Sequence, residues 1–217
     1  MLKPYRFFNG WAFLFSLLFV FFLAKGTISG NDQAGSLQLV KKVRHSLTGI
    51  KPFSVKFVQQ VFTDQQMDIE ESGEILFKDE RHLKWTYLDP DYKVFLLLED
   101  NYRFYDEDNE QLTRGKVKDR DQQWIWQLFF SEDILPYAFE GEDSAGKIIH
   151  FKKEEAEESL DVEIRLNSDY LPVRVIRNDP VSGARMIFYF KDYKKQTAIP
   201  EDAFELKVPG DVEIIDD

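Results

Sequence analysis

Three histidines, 39 carboxylates and no cysteine make up the reactive inventory of this 217-residue chain. His45, His82 and His150 are far apart, with no H-x-H or H-E-x-x-H spacing, so a histidine metal site has little support. The lack of cysteine removes thiol nucleophiles, disulfides and Cys-type zinc sites. It also removes an N-terminal lipidated cysteine, so the chain is not itself a lipoprotein. No G-x-S-x-G elbow, Walker loop or dinucleotide fingerprint occurs. Asp106-Glu-Asp-Asn-Glu110 begins like a calcium loop, but Gln111 stands where the glycine belongs and Val117 where the bidentate glutamate belongs. A solvated hairpin turn fits that run better. So many acids produce close pairs by chance, and a pair alone is no active site. The chain reads as a non-enzyme that needs no cofactor and no metal.

What remains is the chemistry of apolar burial. Phe53, Val55 and Phe57, Ile75 and Phe77, Leu83, Trp85 and Tyr87, Phe95 and Leu97, Val162 and Ile164, and Phe188 and Phe190 occupy alternate positions of successive segments. Alternation puts each set on one face of a strand. In a curved sheet the sets line one concave face. Two readings are open: a solid core, or the wall of an apolar cavity. The stretch Trp124-Ile-Trp-Gln-Leu-Phe-Phe130 favours the second. It carries too many large apolar residues for one buried helical stripe, so some face a cavity, a partner or a membrane.

The elements that must position these residues follow from periodicity. Gln33 to Ile50 is a helix, with Leu37, Val40, Val43, Leu47 and Ile50 at steps of three and four, stopped by Gly49 and Pro52. Ten period-two segments follow: Phe53–Phe57, Ile69–Lys78 around a bend at Gly73, Leu83–Tyr87, Lys93–Leu98, Asn101–Tyr105, Lys147–Phe151, Leu160–Leu166, Pro172–Ile176, Met186–Phe190 and Phe204–Val208. Lys93–Leu98 is apolar on both faces, so something covers each side. Trp124–Phe130 with Ile134, Leu135 and Tyr137 fits one or two short helices. Short turns such as Asn167-Ser-Asp169 and Asp179–Gly183 imply one antiparallel sheet that curls on itself or is covered by the helices.

Formal net charge is −11. Residues 1–26 hold Lys3, Arg6 and Lys25 and no acid, which leaves −14 for the remainder. That disfavours nucleic acid and direct adhesion to anionic lipid headgroups. Trp11–Ala24 is an uncharged run of 14 residues behind a basic start. It is short for a membrane span and normal for a secretory signal. The expected organisation is a signal peptide over 1–29, with cleavage near 26–29, and one domain over 30–217. The alternative is an uncleaved anchor. Both put residues 30–217 outside the cytoplasm.

The order of segments resembles the LolA family of periplasmic carriers of outer-membrane lipoproteins. Phe53-Ser-Val-Lys-Phe-Val-Gln-Gln60 is similar to its first strand. Ser72-Gly-Glu-Ile-Leu-Phe-Lys78 and Leu83-Lys-Trp-Thr-Tyr87 are similar to the two that follow. Asp89-Pro90, Glu99-Asp-Asn101 and Phe104-Tyr-Asp106 resemble the next run, and Phe204–Ile215 resembles the family's ending. The resemblance implies an α+β fold: a strongly curved, incompletely closed antiparallel β-barrel of about ten or eleven strands with a helical lid over an acyl-chain cavity. Leu83, Trp85, Phe95 and Leu97 fall where the family lines its cavity. Leu37 and Val40 of the first helix, with Trp124, Ile125, Leu128, Phe129 and Ile134, fall in its lid. The resemblance further implies a monomeric periplasmic chaperone that takes lipoproteins from an inner-membrane releasing transporter to an outer-membrane acceptor. Lys78 and Arg81 fall near its transfer surface, although Asp79 occupies the usual basic position. A different class of role stays open, a lipid- or lipoprotein-sensing envelope scaffold on the same sheet.

Overall fold

The structure is a computed structural model that describes residues 32–116, 138–143, 146–155, 158–179 and 182–216. Helix α1 spans Asp32–Ile50. The twelve strands are β1 Phe53–Thr63, β2 Gln66–Asp79, β3 His82–Asp89, β4 Lys93–Leu98, β5 Asn101–Asp106, β6 Gln111–Lys116, β7 Ala138–Asp143, β8 Gly146–Glu155, β9 Glu158–Leu166, β10 Pro172–Asn178, β11 Arg185–Lys195 and β12 Glu213–Asp216. A 3-10 turn covers Glu201–Phe204.

All twelve strands form one sheet, in the order β12-β6-β5-β4-β3-β2-β1-β11-β10-β9-β8-β7. Its two ends, β12 and β7, do not pair with each other, so the sheet is open. It is also curved. Leu97 on β4 and Ala138 on β7 belong to one buried cluster. Eight strand spacings separate them, roughly 38 Å if the sheet were flat. Helix α1 packs on β7 and β8 and sets Leu39, Val40, Val43 and Leu47 into the same cluster. Its charged Lys41 and Lys42 face solvent, the division an amphipathic helix requires.

Local chemistry makes the turns. Asp64 and Gln65, between β1 and β2, both have positive φ, as in the two-residue turns that match sheet twist. Between β5 and β6, Asp106 Oδ1 accepts from the backbone N–H groups of Asp108 and Asn109, at 3.1 and 3.4 Å, and Oδ2 accepts from Asn109 Nδ2 at 2.9 Å. The run that begins like a calcium loop is thus a self-satisfied hairpin turn.

Three features depart from the sequence pattern. β6 and β7 are strands that the pattern does not mark. The last strand is not Phe204–Val208: Phe204 closes the 3-10 turn, and the chain pairs again only at Glu213–Asp216. That strand runs parallel to β6, so the sheet is not wholly antiparallel.

β4 is buried on both sides, and the C-terminal segment lies against the convex side of the neighbouring β3. Phe95 and Leu97 face the concave cluster, while Val94 and Leu96 are buried on the convex side. The 3-10 turn crosses that convex side over β3. Lys84 Nζ donates to the carbonyls of Ala203 and Glu205, each at 3.0 Å, and the buried Phe204 ring packs edge-on against His82.

Candidate functional site

Phe53, Val55, Phe57 and Gln59 alternate along β1 and are all buried. Cross-strand register extends each of them into a row. Phe53 pairs with Phe77, then Leu83, then Leu97; Val55 pairs with Ile75, then Trp85, then Phe95. Phe57 pairs with Gly73, then Tyr87. On the other side Phe57 meets Phe190 and Gln59 meets Phe188. Paired residues share a face, so all eleven side chains expected on the concave wall lie together. Phe53, Phe57, Ile75, Phe77, Leu83, Tyr87, Leu97, Phe188 and Phe190 are buried in one cluster, with Trp85 and Phe95 partly buried against it. Val162 and Ile164 complete it from β9.

The aromatic rings form an arch. Centroids lie 5.2 Å apart for Phe53–Phe77 and Phe57–Trp85, 5.0 Å for Phe57–Tyr87, 5.5 Å for Trp85–Phe188 and 6.1 Å for Phe188–Phe190. Gly73 makes the middle possible. A Cβ there would sit 1.9 Å from the Thr86 carbonyl oxygen and 3.0 Å from the Phe57 ring. The register slips between Ser72 and Gly73, at the expected bend.

The arch contains polar contacts that the sequence does not single out. Tyr87 Oη donates to Gln59 Oε1 at 2.8 Å. Burial pushes the Tyr87 phenol far above its ordinary range, with the Glu71 charge adding to it. Lys93 Nζ meets Glu71 Oε1 at 2.8 Å in the next row. Burial lowers the Lys93 pKa, but the hydrogen bond and charge of Glu71, with Asp106 and Asp91 behind, more than reverse this. The Trp85 indole Nε1 is buried and has no hydrogen-bond partner among the described residues. Arg177 faces Val162 across β9 and β10, and burial pulls its guanidinium down against the opposing Asp179 charge. Cross-strand register was the missing signal for these groups, since a single strand's pattern cannot say which polar side chains meet.

Of the two α1 residues expected in a lid, Leu37 is half-buried and Val40 is fully buried. Trp124, Ile125, Leu128, Phe129 and Ile134 lie outside the described residues. Lys78 and Arg81 are exposed at the β2–β3 turn, where Arg81 Nη1 pairs with Glu99 Oε2 at 2.9 Å. Asp79 is built into that turn: its Oδ1 accepts from the Arg81 backbone N–H at 2.9 Å and lies 2.8 Å from His82 Nδ1. Partial burial raises the Asp79 pKa, but those two partners bring it below the ordinary carboxylate value. Among the described residues no group of three or more His, Asp or Glu side chains could hold a metal, and no helix is long and apolar enough to cross a membrane.

No curated protein matches the chain in sequence. An uncharacterized conserved protein from Thermus thermophilus has a similar fold: 13% identity, TM-score 0.54, covering 84% of this chain and 99% of that one. A LolA superfamily protein from Nitrosomonas europaea is similar at 12% identity and TM-score 0.52, over 79% of this chain and 97% of its own. The family model described as outer membrane lipoprotein carrier protein LolA matches residues 48–207, the stretch that holds β1 to β11 and the 3-10 turn. The chain therefore belongs to the LolA family.

Proposed function

We propose that this protein is a periplasmic chaperone that holds the acyl chains of lipoproteins against the concave face and carries them from the inner to the outer membrane. The observation that carries this reading is the continuous aromatic arch on one face of an open, curved sheet. Removing an acyl chain from a bilayer costs about 0.8 kcal/mol per CH₂. A carrier must return most of that by burial, and it does so with a broad apolar wall rather than a catalytic cleft. It must also release its cargo. A cover that trades its own contacts with the arch for acyl contacts keeps net affinity moderate.

Several assignments belong to this proposal. Residues 1–29 are its signal peptide and residues 30–217 its working domain. Trp124, Ile125, Leu128, Phe129 and Ile134 act with Leu37 and Val40 as the cover. Lys78 and Arg81 present the surface to an outer-membrane acceptor, and an inner-membrane transporter loads the chain. The protein acts as a monomer. The net charge of −14 on residues 30–217 keeps it off anionic membrane surfaces between those partners.

The test is mass spectrometry of the protein purified from its own envelope. Acylated lipoprotein or lipid should co-purify, and adding a palmitoyl lysolipid should change the tryptophan emission. A protein that carries no acyl species and binds none when offered would end this reading.

A further inference from the structure

Within the arch, Trp85 breaks a rule that buried groups otherwise follow. A buried N–H without an acceptor is costly, and folded proteins leave few such groups. Among the described residues Trp85 Nε1 is one. The surroundings offer it little. Ile75 and Phe95 flank Trp85 in register. The Phe57 and Phe188 rings meet it edge-on at 5.2 and 5.5 Å. Tyr87 stacks at 6.2 Å, and its hydroxyl, which donates to Gln59, does not accept from the indole. A lone water among these side chains would lack the two to four polar partners that hold buried water. A ligand with one acceptor on an otherwise apolar body suits the site better.

We propose that Trp85 is a polar anchor whose indole N–H donates to the carbonyl oxygen of the ester or amide that heads an acyl chain. The inference rests on the carrier reading and deepens it. The arch by itself grips a methylene chain equally well at any position along its length. One donor on that face fixes where the chain begins. It places the carbonyl at Trp85 and lays the hydrocarbon along Phe57, Phe188 and Phe190. It also separates acyl chains from plain alkyl chains of equal length, which area burial cannot do.

The experiment compares two lysophosphatidylcholines below their micelle-forming concentrations. One carries an ester-linked palmitoyl chain and the other an ether-linked hexadecyl chain without the carbonyl. Binding is measured by equilibrium dialysis on the protein purified as the cell exports it. The wild type should prefer the ester by about 3–10-fold, the range of one net hydrogen bond. An N-palmitoyl amide of the same headgroup should behave as the ester does. Trp85→Phe keeps an aromatic ring and removes the donor, so whatever its overall affinity it should bind both lipids alike. With a ¹³C-labelled ester, the carbonyl stretch should move to lower frequency on the wild type and not on the variant. Equal binding of ester and ether by the wild type would overturn the anchor and leave the carrier reading standing. That comparison needs no variant to fold. A preference that persists in Trp85→Phe would also overturn it. If neither lipid binds, the carrier reading fails and the anchor fails with it.

Discussion

Tyr87 Oη donates to Gln59 Oε1 at 2.8 Å from two strands away, and both residues are buried in an apolar face. Replacing Tyr87 with Phe removes the donor and leaves the Gln59 oxygen unsatisfied. The expected loss is about 1–2 kcal/mol. The double variant Tyr87→Phe/Gln59→Leu removes both partners and should regain part of that loss. Urea unfolding of the three proteins measures it. A Tyr87→Phe protein as stable as the wild type would show that the pair contributes nothing.

The Lys93–Glu71 pair gives a pH dependence with a definite sign. The folded-state pKa of Lys93 lies above its ordinary 10.5. Its contribution is therefore fully present below pH 10.5 and is lost as pH rises through the higher folded value. Lys93→Met, which leaves the half-enclosed Glu71 carboxylate without its cation, should cost about 1–3 kcal/mol at neutral pH. The gap between wild type and variant should stay level up to pH 10.5 and narrow above it. Thermal unfolding across that range is the check, and a gap that widened with pH would refute the assignment.

Gly73→Ala should be severely destabilising. The added methyl would fall 1.9 Å from a backbone oxygen of β3, so two strands must separate. The expected cost is about 3 kcal/mol or more, or roughly 6–12 °C in Tm for a domain of this size. Gly49→Ala is the control, because its Cβ meets nothing within 4 Å near the end of α1. That change should be neutral or slightly stabilising.

The C-terminal segment should detach before the rest of the sheet melts. Phe204→Ala empties a buried site and should cost about 3 kcal/mol. Lys84→Met keeps the stem and deletes the two hydrogen bonds to Ala203 and Glu205. In both variants amide exchange should quicken first over 205–216, including the Glu213 N–H that donates to Glu110 at 2.9 Å. Exchange that quickened uniformly along the chain would instead make the segment one cooperative unit with the core.

Much of this architecture was legible because period two is a strong signal where one face is buried. Phe53-Ser-Val-Lys-Phe57 and Leu83-Lys-Trp-Thr-Tyr87 show it plainly, and the face they define is the concave one. β6 is Gln111-Leu-Thr-Arg-Gly-Lys116 with only Leu112 buried, and all four residues of β12 are exposed. Such strands exist because a neighbour offers free backbone groups, and side-chain pattern carries no trace of that. Phe204-Glu-Leu-Lys-Val208 shows the reverse. It alternates, yet Phe204 is buried as the plug of a 3-10 turn and the residues just after it pair with no strand. In the site, one-face membership followed from alternation. The Tyr87–Gln59 bond and the orphan indole of Trp85 depend on which strands lie side by side, a long-range fact.

The parallel pairing of β12 with β6 has a consequence for biosynthesis. Gln111 and its partner Glu213 are 102 residues apart. A chain emerging N-terminus first therefore completes β6 long before its strand partner β12 is made. Until then the β6 backbone groups that β12 will engage await that partner. Any product that stops short of Glu213 keeps this template exposed, the condition that recruits other strands into aggregates. The last strand thus moves the sheet's edge from the six-residue β6 to the four-residue β12, and a product truncated before it keeps the longer edge instead.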